Sequence, residues 1–194
     1  MNEEEILDML RKTGSLLTGH FLLTSGLHSS QYFQCAKVLQ YPAMAEKLCA
    51  KIGRHFKERN VSVAAAPAVG GILVAHEVAR FLGVRAIFTE RENSHMALRR
   101  GFEIDKGERV LVVEDVITTG GSVREVLDLV KNSGAEPVGV ACLVDRSGGQ
   151  VHFGVELFSL VSLKIEALPP DKCNLCKQAL PLTKPGSSKQ LLDG

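Results

Sequence analysis

Two adjacent carboxylates, Glu114 and Asp115, close the apolar run Val110-Leu-Val-Val113, and the turn Thr118-Thr-Gly-Gly-Ser122 follows two residues later. Paired acids suit a polyhydroxylated ligand or a metal. A small, hydroxyl-rich turn ahead of a helix suits a phosphate, because a helix start leaves backbone N–H groups unpaired and carries partial positive charge. Gly120 and Gly121 let the backbone approach closely and take positive φ. Thr118, Thr119 and Ser122 add hydroxyl donors, and Val116 and Ile117 lead into them. Adjacent strand residues face opposite ways, so both acids are useful only at the strand's carboxyl end, where a ligand meets the sheet. The segment lacks the Gly-Lys-Ser/Thr of a nucleoside-triphosphate loop and the G-x-G-x-x-G of a dinucleotide site. A plain connection with solvated acids is the alternative, and it leaves two acids plus TTGGS unexplained.

The elements that position this segment follow from periodicity. Val123, Val126, Leu127 and Val130 recur at one-helix-face spacing. Ser122-Val-Arg-Glu125 predicts a capping box at the start of that helix, and Gly134 a stop. Helices are also expected over 3–13, 42–58 and 72–82. Strands are expected over 61–66, 84–89, 138–145 and 155–163, with a small irregular β segment over 19–33. Continuous apolar strands alternating with helices predict an open, mainly parallel sheet covered on both faces, an α/β fold. The expected organisation is a single domain over 1–194. It comprises a small N-terminal hood (about 1–40), a core sheet (about 60–165) and a peripheral tail (about 169–194) rich in Pro, Gly, Ser and Lys.

Composition excludes several classes. A net charge of +1 gives no broad nucleic-acid or membrane surface. No apolar run approaches the roughly 18 residues of a membrane helix, and the acidic start MNEEEILDML is unlike a secretory signal. Five cysteines, an odd number in a chain of 194 residues that can fold without staples, point to a reducing, cytoplasmic setting. Cys173-Asn-Leu-Cys176 is a C-x-x-C. Structural zinc takes four ligands, yet the chain has no second C-x-x-C and its six His show no metal spacing. Two ordinary thiols are expected, with a zinc shared between subunits as the alternative.

Other strand exits bear on the same site. Pro67-Ala68-Val69-Gly70-Gly71 is a second Gly-rich turn into a helix, able to hold another phosphate. The polar stretch 89–108 carries Arg91, His95, Arg99 and Arg100 beside Glu90 and Glu92, and long polar segments of this kind are either lids or solvated connections. Arg146, in Asp145-Arg-Ser-Gly-Gly149, is either a carboxylate clamp or half of a surface salt bridge.

The EDVITTGGS stretch resembles the phosphoribosyl-pyrophosphate (PRPP) motif of type I phosphoribosyltransferases. The word GHFLLTSGLHSSQYF (19–33), together with Asp145-Arg146, resembles the orotate phosphoribosyltransferases. The resemblance implies the type I fold and transfer of a phosphoribosyl group from PRPP to orotate. It implies Mg²⁺ bound through PRPP near Glu114 and Asp115, with these acids on the ribose hydroxyls and Val116 to Ser122 around the 5′-phosphate. It places pyrophosphate on Ala68, Val69 and Gly70, in a loop that in this family often holds a nonproline cis peptide. Orotate falls to Thr118, Arg146 and the backbone of Ser25 and Gly26, and a cationic lid to Arg91, Arg99 and Arg100. A homodimer is implied, with no nucleic-acid or membrane partner. The chain departs from the family where Thr24 precedes Ser-Gly in place of Lys, where Val69-Gly70 replaces a Tyr-Lys pair, and where Arg replaces the Lys of the lid. These departures mark a divergent branch with Arg on the anions; the alternatives are another base or a non-catalytic PRPP sensor.

Overall fold

The computed structural model describes residues 1–23 and 25–185. Thr24 and the end of the tail, residues 186–194, lie outside the described residues. In chain order the elements are α1 (Glu3–Lys12), β1 (Leu16–Leu22), β2 (His28–Phe33), the one-turn α2 (Ala36–Leu39), α3 (Pro42–Phe56), β3 (Val63–Pro67), α4 (Gly71–Leu82), β4 (Arg85–Glu92), β5 (His95–Leu98), β6 (Arg109–Ile117), α5 (Gly121–Asn132), β7 (Glu136–Asp145), β8 (Leu157–Ser162), β9 (Ala167–Leu168) and the short α6 (Asn174–Lys177). The main sheet has the order β5-β4-β3-β6-β7-β8, parallel except for the antiparallel edge strand β5. A second, antiparallel sheet, β1-β2-β9, forms the hood. No helix among the described residues is long and apolar enough to cross a membrane.

Strand β6 lies inside the main sheet, and its apolar run is continuous because both faces are covered. Leu111 and Val113 pack with Ile6 of α1, Leu48 and Phe56 of α3 and Val74 of α4. Val110 and Val112 face the other way, onto Val123, Val126 and Val130 of α5. All four strand residues are wholly buried. The strand is thus clamped from two sides along the run that leads to Glu114 and Asp115.

Two expectations are corrected. Helix α5 starts at Gly121, with Gly120 in the left-handed region as its N-cap and no side-chain cap. Glu125 makes no capping box with Ser122. It accepts a forked pair of bonds from Arg91 (2.9 and 3.2 Å) and the Met96 N–H (2.9 Å), and a charged bidentate partner outcompetes a neutral cap. The stretch after Thr89 is not irregular throughout: β4 runs to Glu92, turns at Asn93-Ser94 and returns as β5. Both turn residues have positive φ, as a tight two-residue hairpin turn requires.

The hood also takes up the end of the chain. Ala167–Leu168 pairs with β2, the Leu22 N–H donates to the Thr183 carbonyl and the Thr183 N–H to the His20 carbonyl. The hood is therefore built from both ends of the chain. Cys173 and Cys176 do not stand apart as ordinary thiols; they lie beside His20 and His28.

Candidate active site

The carboxyl ends of β3, β6 and β7 converge as the parallel topology demands. A cavity of about 240 Å³ is lined by Glu114, Val116, Ile117, Thr118, Thr119, Gly120, Gly121, Ser122 and Arg91. A second, of about 490 Å³, is lined by Leu23, Ser25, Leu27, Tyr32, Arg146, Ile165 and Ala167, and again by Thr118 and Thr119. The two threonines form the shared wall. One cavity is a backbone-rich anion cradle at a helix start, and the other is larger and mostly apolar.

The turn that makes the cradle is held from behind. Gly120 has a φ of +74°, and a Cβ there would fall 2.8 Å from the Phe153 ring. The Arg124 guanidinium donates to the Thr119 carbonyl (2.6 Å) and lies over the Phe153 ring. Arg124 thus fixes the turn without lining the cavity, a role that its place in the amphipathic pattern of α5 does not reveal.

The two acids sit under the loop that follows β3. The Ala68–Val69 peptide is cis. A Cβ on Gly70 would lie 2.6 Å from the Asp115 carboxylate, and one on Gly71 would lie 2.8 Å from the Ala66 Cβ and 3.1 Å from Glu114 Oε1. Only glycine fits between this loop and the acids. Burial, and then the neighbouring charge of Asp115, push the Glu114 carboxyl up to about 9. Burial raises Asp115 as well, although the Val116 N–H donates to its Oδ1 at 2.8 Å. The pair is short of positive charge.

This has a consequence for stability. A carboxyl raised in the folded state binds a proton that the unfolded chain has released, so its contribution is full below about pH 4.5 and is lost as pH rises towards about 9. Glu114→Gln removes that titration. Its melting temperature is expected to equal that of the wild type near about pH 4.5 and to exceed it by several degrees at about pH 8, at about 2–4 °C per kcal/mol for a chain this size. A thermal melt in which the variant is less stable at the higher pH would contradict this reading of the pair.

The larger cavity holds a half-buried cation. Arg146 Nε is the one buried side-chain polar atom without a hydrogen-bond partner among the described residues, and burial pulls the guanidinium down from its ordinary value. No acid pairs with it in the described structure, so the salt-bridge alternative falls. A buried N–H without a partner is costly, and an anion with two oxygens would satisfy the guanidinium fork. Asp145 does not share this role. It is 1% exposed, and its oxygens accept from the Ser147 and Gly149 N–H groups (2.8 Å each) and the Ser162 hydroxyl (3.4 Å). It fixes the turn that presents Arg146.

Of the hood residues, Ser25 lines the cavity. Gly26 has a φ of +80°, and its N–H donates to the Leu23 carbonyl at 2.9 Å, so this amide closes the turn instead of facing a ligand. The three lid arginines separate. Arg91 lines the anion cavity while held by Glu125. Arg100 makes a forked pair with Glu90 (2.8 Å to each oxygen) and Arg99 faces Glu92 at 3.7 Å, and neither lines either cavity. The acids interleaved with them in sequence take up their charge. Tyr32, Leu23, Leu27, Ile165 and Ala167 are cavity residues absent from the sequence-based site. The SSQYF alternation could have pointed to Tyr32, whereas Ile165 and Ala167 arrive from a distant segment and carry no local signal.

Residues 36–153 match the family described as "Phosphoribosyl transferase domain". The chain is 57% identical to the orotate phosphoribosyltransferase of Desulforamulus reducens, over 96% of this chain and 98% of that one. It is 52% identical to the orotate phosphoribosyltransferase of Caldicellulosiruptor bescii, over 98% of this chain and all of the relative. The crystal structure of orotate phosphoribosyltransferase from Aeropyrum pernix superposes with a TM-score of 0.69 at 28% identity, covering 82% of this chain and 94% of that one.

Proposed function

The chain belongs to the orotate phosphoribosyltransferase family, and on that premise we propose that it transfers the 5-phosphoribosyl group of PRPP to orotate, giving orotidine 5′-monophosphate and pyrophosphate. The observation that carries the assignment of roles is the pair of cavities joined at Thr118 and Thr119, with an anion cradle lined by Glu114 on one side and, on the other, a half-buried arginine whose Nε has no partner.

The 5′-phosphate takes the backbone amides and hydroxyls of Thr118 to Ser122, on the dipole of α5. The ribose hydroxyls meet Glu114 and Asp115. The pyrophosphate lies along Ala68, Val69 and Gly70, with Arg91 as the nearby cation. Oxygen donors short of positive charge fit Mg²⁺, which would be held through PRPP beside Glu114 and Asp115 and would neutralise charge on the leaving pyrophosphate. Orotate enters as an anion with its carboxylate on Arg146 and its ring against Tyr32, Leu27 and Ile165. Its ring nitrogen attacks the anomeric carbon as the bond to pyrophosphate breaks, through a transition state with oxocarbenium character of the kind seen in glycosidic cleavage. An anionic nucleophile needs no general base. The protein orients both substrates, stabilises the leaving charge and excludes water.

A homodimer and a cytoplasmic setting belong to this reading. Val69 and Leu73, beside the pyrophosphate loop, are 81% and 48% exposed, which favours a second copy over them. Buried thiols at Cys35, Cys49 and Cys142 favour a reducing compartment.

The test is an absorbance assay in the orotate band. Loss of orotate that requires both PRPP and Mg²⁺ is the expected result. PRPP binding without turnover of orotate would turn the reading towards another base or a sensor.

A further inference from the structure

We propose that His20, His28, Cys173 and Cys176 hold a structural zinc ion that fastens the C-terminal segment onto the hood. The four potential ligand atoms all lie within 4.8 Å of one another. The Cys173 Sγ is 3.5 Å from His20 Nε2, and the Cys176 Sγ is 3.6 Å from His20 Nε2 and 3.2 Å from His28 Nδ1. Zinc–nitrogen and zinc–sulfur bonds of about 2.05 and 2.3 Å, set tetrahedrally, put nitrogen and sulfur ligands about 3.5 Å apart. Two thiolates and two neutral imidazoles are a soft, charge-balanced set that selects zinc over the hard cations of phosphate chemistry.

Hydrogen bonds alone do not account for the cluster. His20 Nδ1 lies 2.9 Å from the Leu180 carbonyl, which can only accept, so the ring proton is on Nδ1. Nε2 is then a bare lone pair, and three polar atoms converge on it: His28 Nδ1 at 2.9 Å and both sulfurs. One lone pair cannot serve three neighbours by hydrogen bonding, whereas an ion at their centre serves all four ligands. A carbonyl behind the far ring nitrogen is also the usual outer support of a metal-bound histidine.

The ligands come from two places that share little else. His20 and His28 are diagonal neighbours on one face of the β1-β2 hairpin, since Leu22 is the direct partner of His28. Cys173 and Cys176 flank the start of α6, a helix too short to hold itself. Between Pro169 and Pro185, Cys173 is the one buried residue. A segment with so little apolar burial needs a staple. Just ahead of it, Ile165 and Ala167 line the larger cavity. An ion at this cluster therefore also firms one wall of the base pocket, a consequence that rests on the proposed function, whereas the metal content does not.

The test uses the full chain purified without chelator, with zinc measured by atomic emission, and a chelator-stripped sample titrated with cobalt(II). Zinc stoichiometric with the chain is expected, as are the visible bands of tetrahedral cobalt(II) with thiolate charge transfer. Cys176→Ser and His28→Ala should each lose more than the roughly 10–100-fold in metal affinity that outer-support changes cost. Stripping the wild type should lower its melting temperature and raise the orotate KM more than the PRPP KM. A folded wild type that carries no zinc and gives no tetrahedral cobalt spectrum would overturn the proposal. So would a Cys173–Cys176 disulfide in protein freshly purified under reducing conditions, or zinc retained in full by both variants. A normal zinc content with no effect on orotate would remove only the link to the base pocket.

Discussion

Arg146→Ala is expected to cut kcat/KM for orotate while leaving the KM for PRPP close to that of the wild type. Removing one partner of a buried, charged hydrogen-bonded pair costs about 2–5 kcal/mol, which is roughly 30- to 5000-fold. The loss should be mainly in binding, because the carboxylate of orotate is remote from the bond that forms. Arg146→Lys should recover only part of it, since an ammonium keeps the charge and lacks the fork. The free variant should also be more stable than the wild type, because the Nε without a partner is gone. Steady-state kinetics with each substrate varied in turn, together with a thermal melt, check both parts. An unchanged orotate KM would mean that the base sits elsewhere.

Asp115→Asn is expected to act on the other substrate. The carboxylate accepts from sugar hydroxyls and adds negative charge beside the Mg²⁺–pyrophosphate group. A charge-assisted hydrogen bond contributes about 1.5–3 kcal/mol, so the PRPP KM should rise roughly 10- to 100-fold. Orotate selectivity should be preserved. Gly70→Ala offers an independent route to the same effect. Its Cβ would fall 2.6 Å from the Asp115 carboxylate and push it out of place without altering any charge. Calorimetric titration with PRPP and Mg²⁺ measures both variants. Wild-type affinity in Asp115→Asn would remove the acids from the ribose site.

The chain reveals its core sheet because burial on two faces leaves a local mark. Val110 to Val113 form an unbroken apolar run, and α5 shows its single apolar stripe. The phosphate turn is legible for the same reason: its chemistry is contiguous in sequence and sits where a strand must end. What was not legible depends on pairing at a distance. Glu125 has the spacing of a cap, yet it is taken by Arg91 from a hairpin 34 residues away. Arg99 and Arg100 read as free cations until the hairpin folds Glu92 and Glu90 against them. The histidines of the hood show no metal spacing because a β-hairpin register, not a helix, brings them together. Ile165 and Ala167 reach the base pocket only because the last strand returns to the hood.

On the proposed function, Arg146, set in an otherwise mostly apolar cavity, selects a pyrimidine bearing a carboxylate. The most direct measurement is kcat/KM for orotate against uracil, which lacks that group, in the wild type and in Arg146→Ala. A site built around a buried polar group rejects the analogue lacking its partner by about 10⁴-fold or more, so the wild type should show a preference of that order and the variant should lose most of it. Comparable use of the two bases by the wild type, or a preference that survives the loss of Arg146, would mean that this arginine does not select the base.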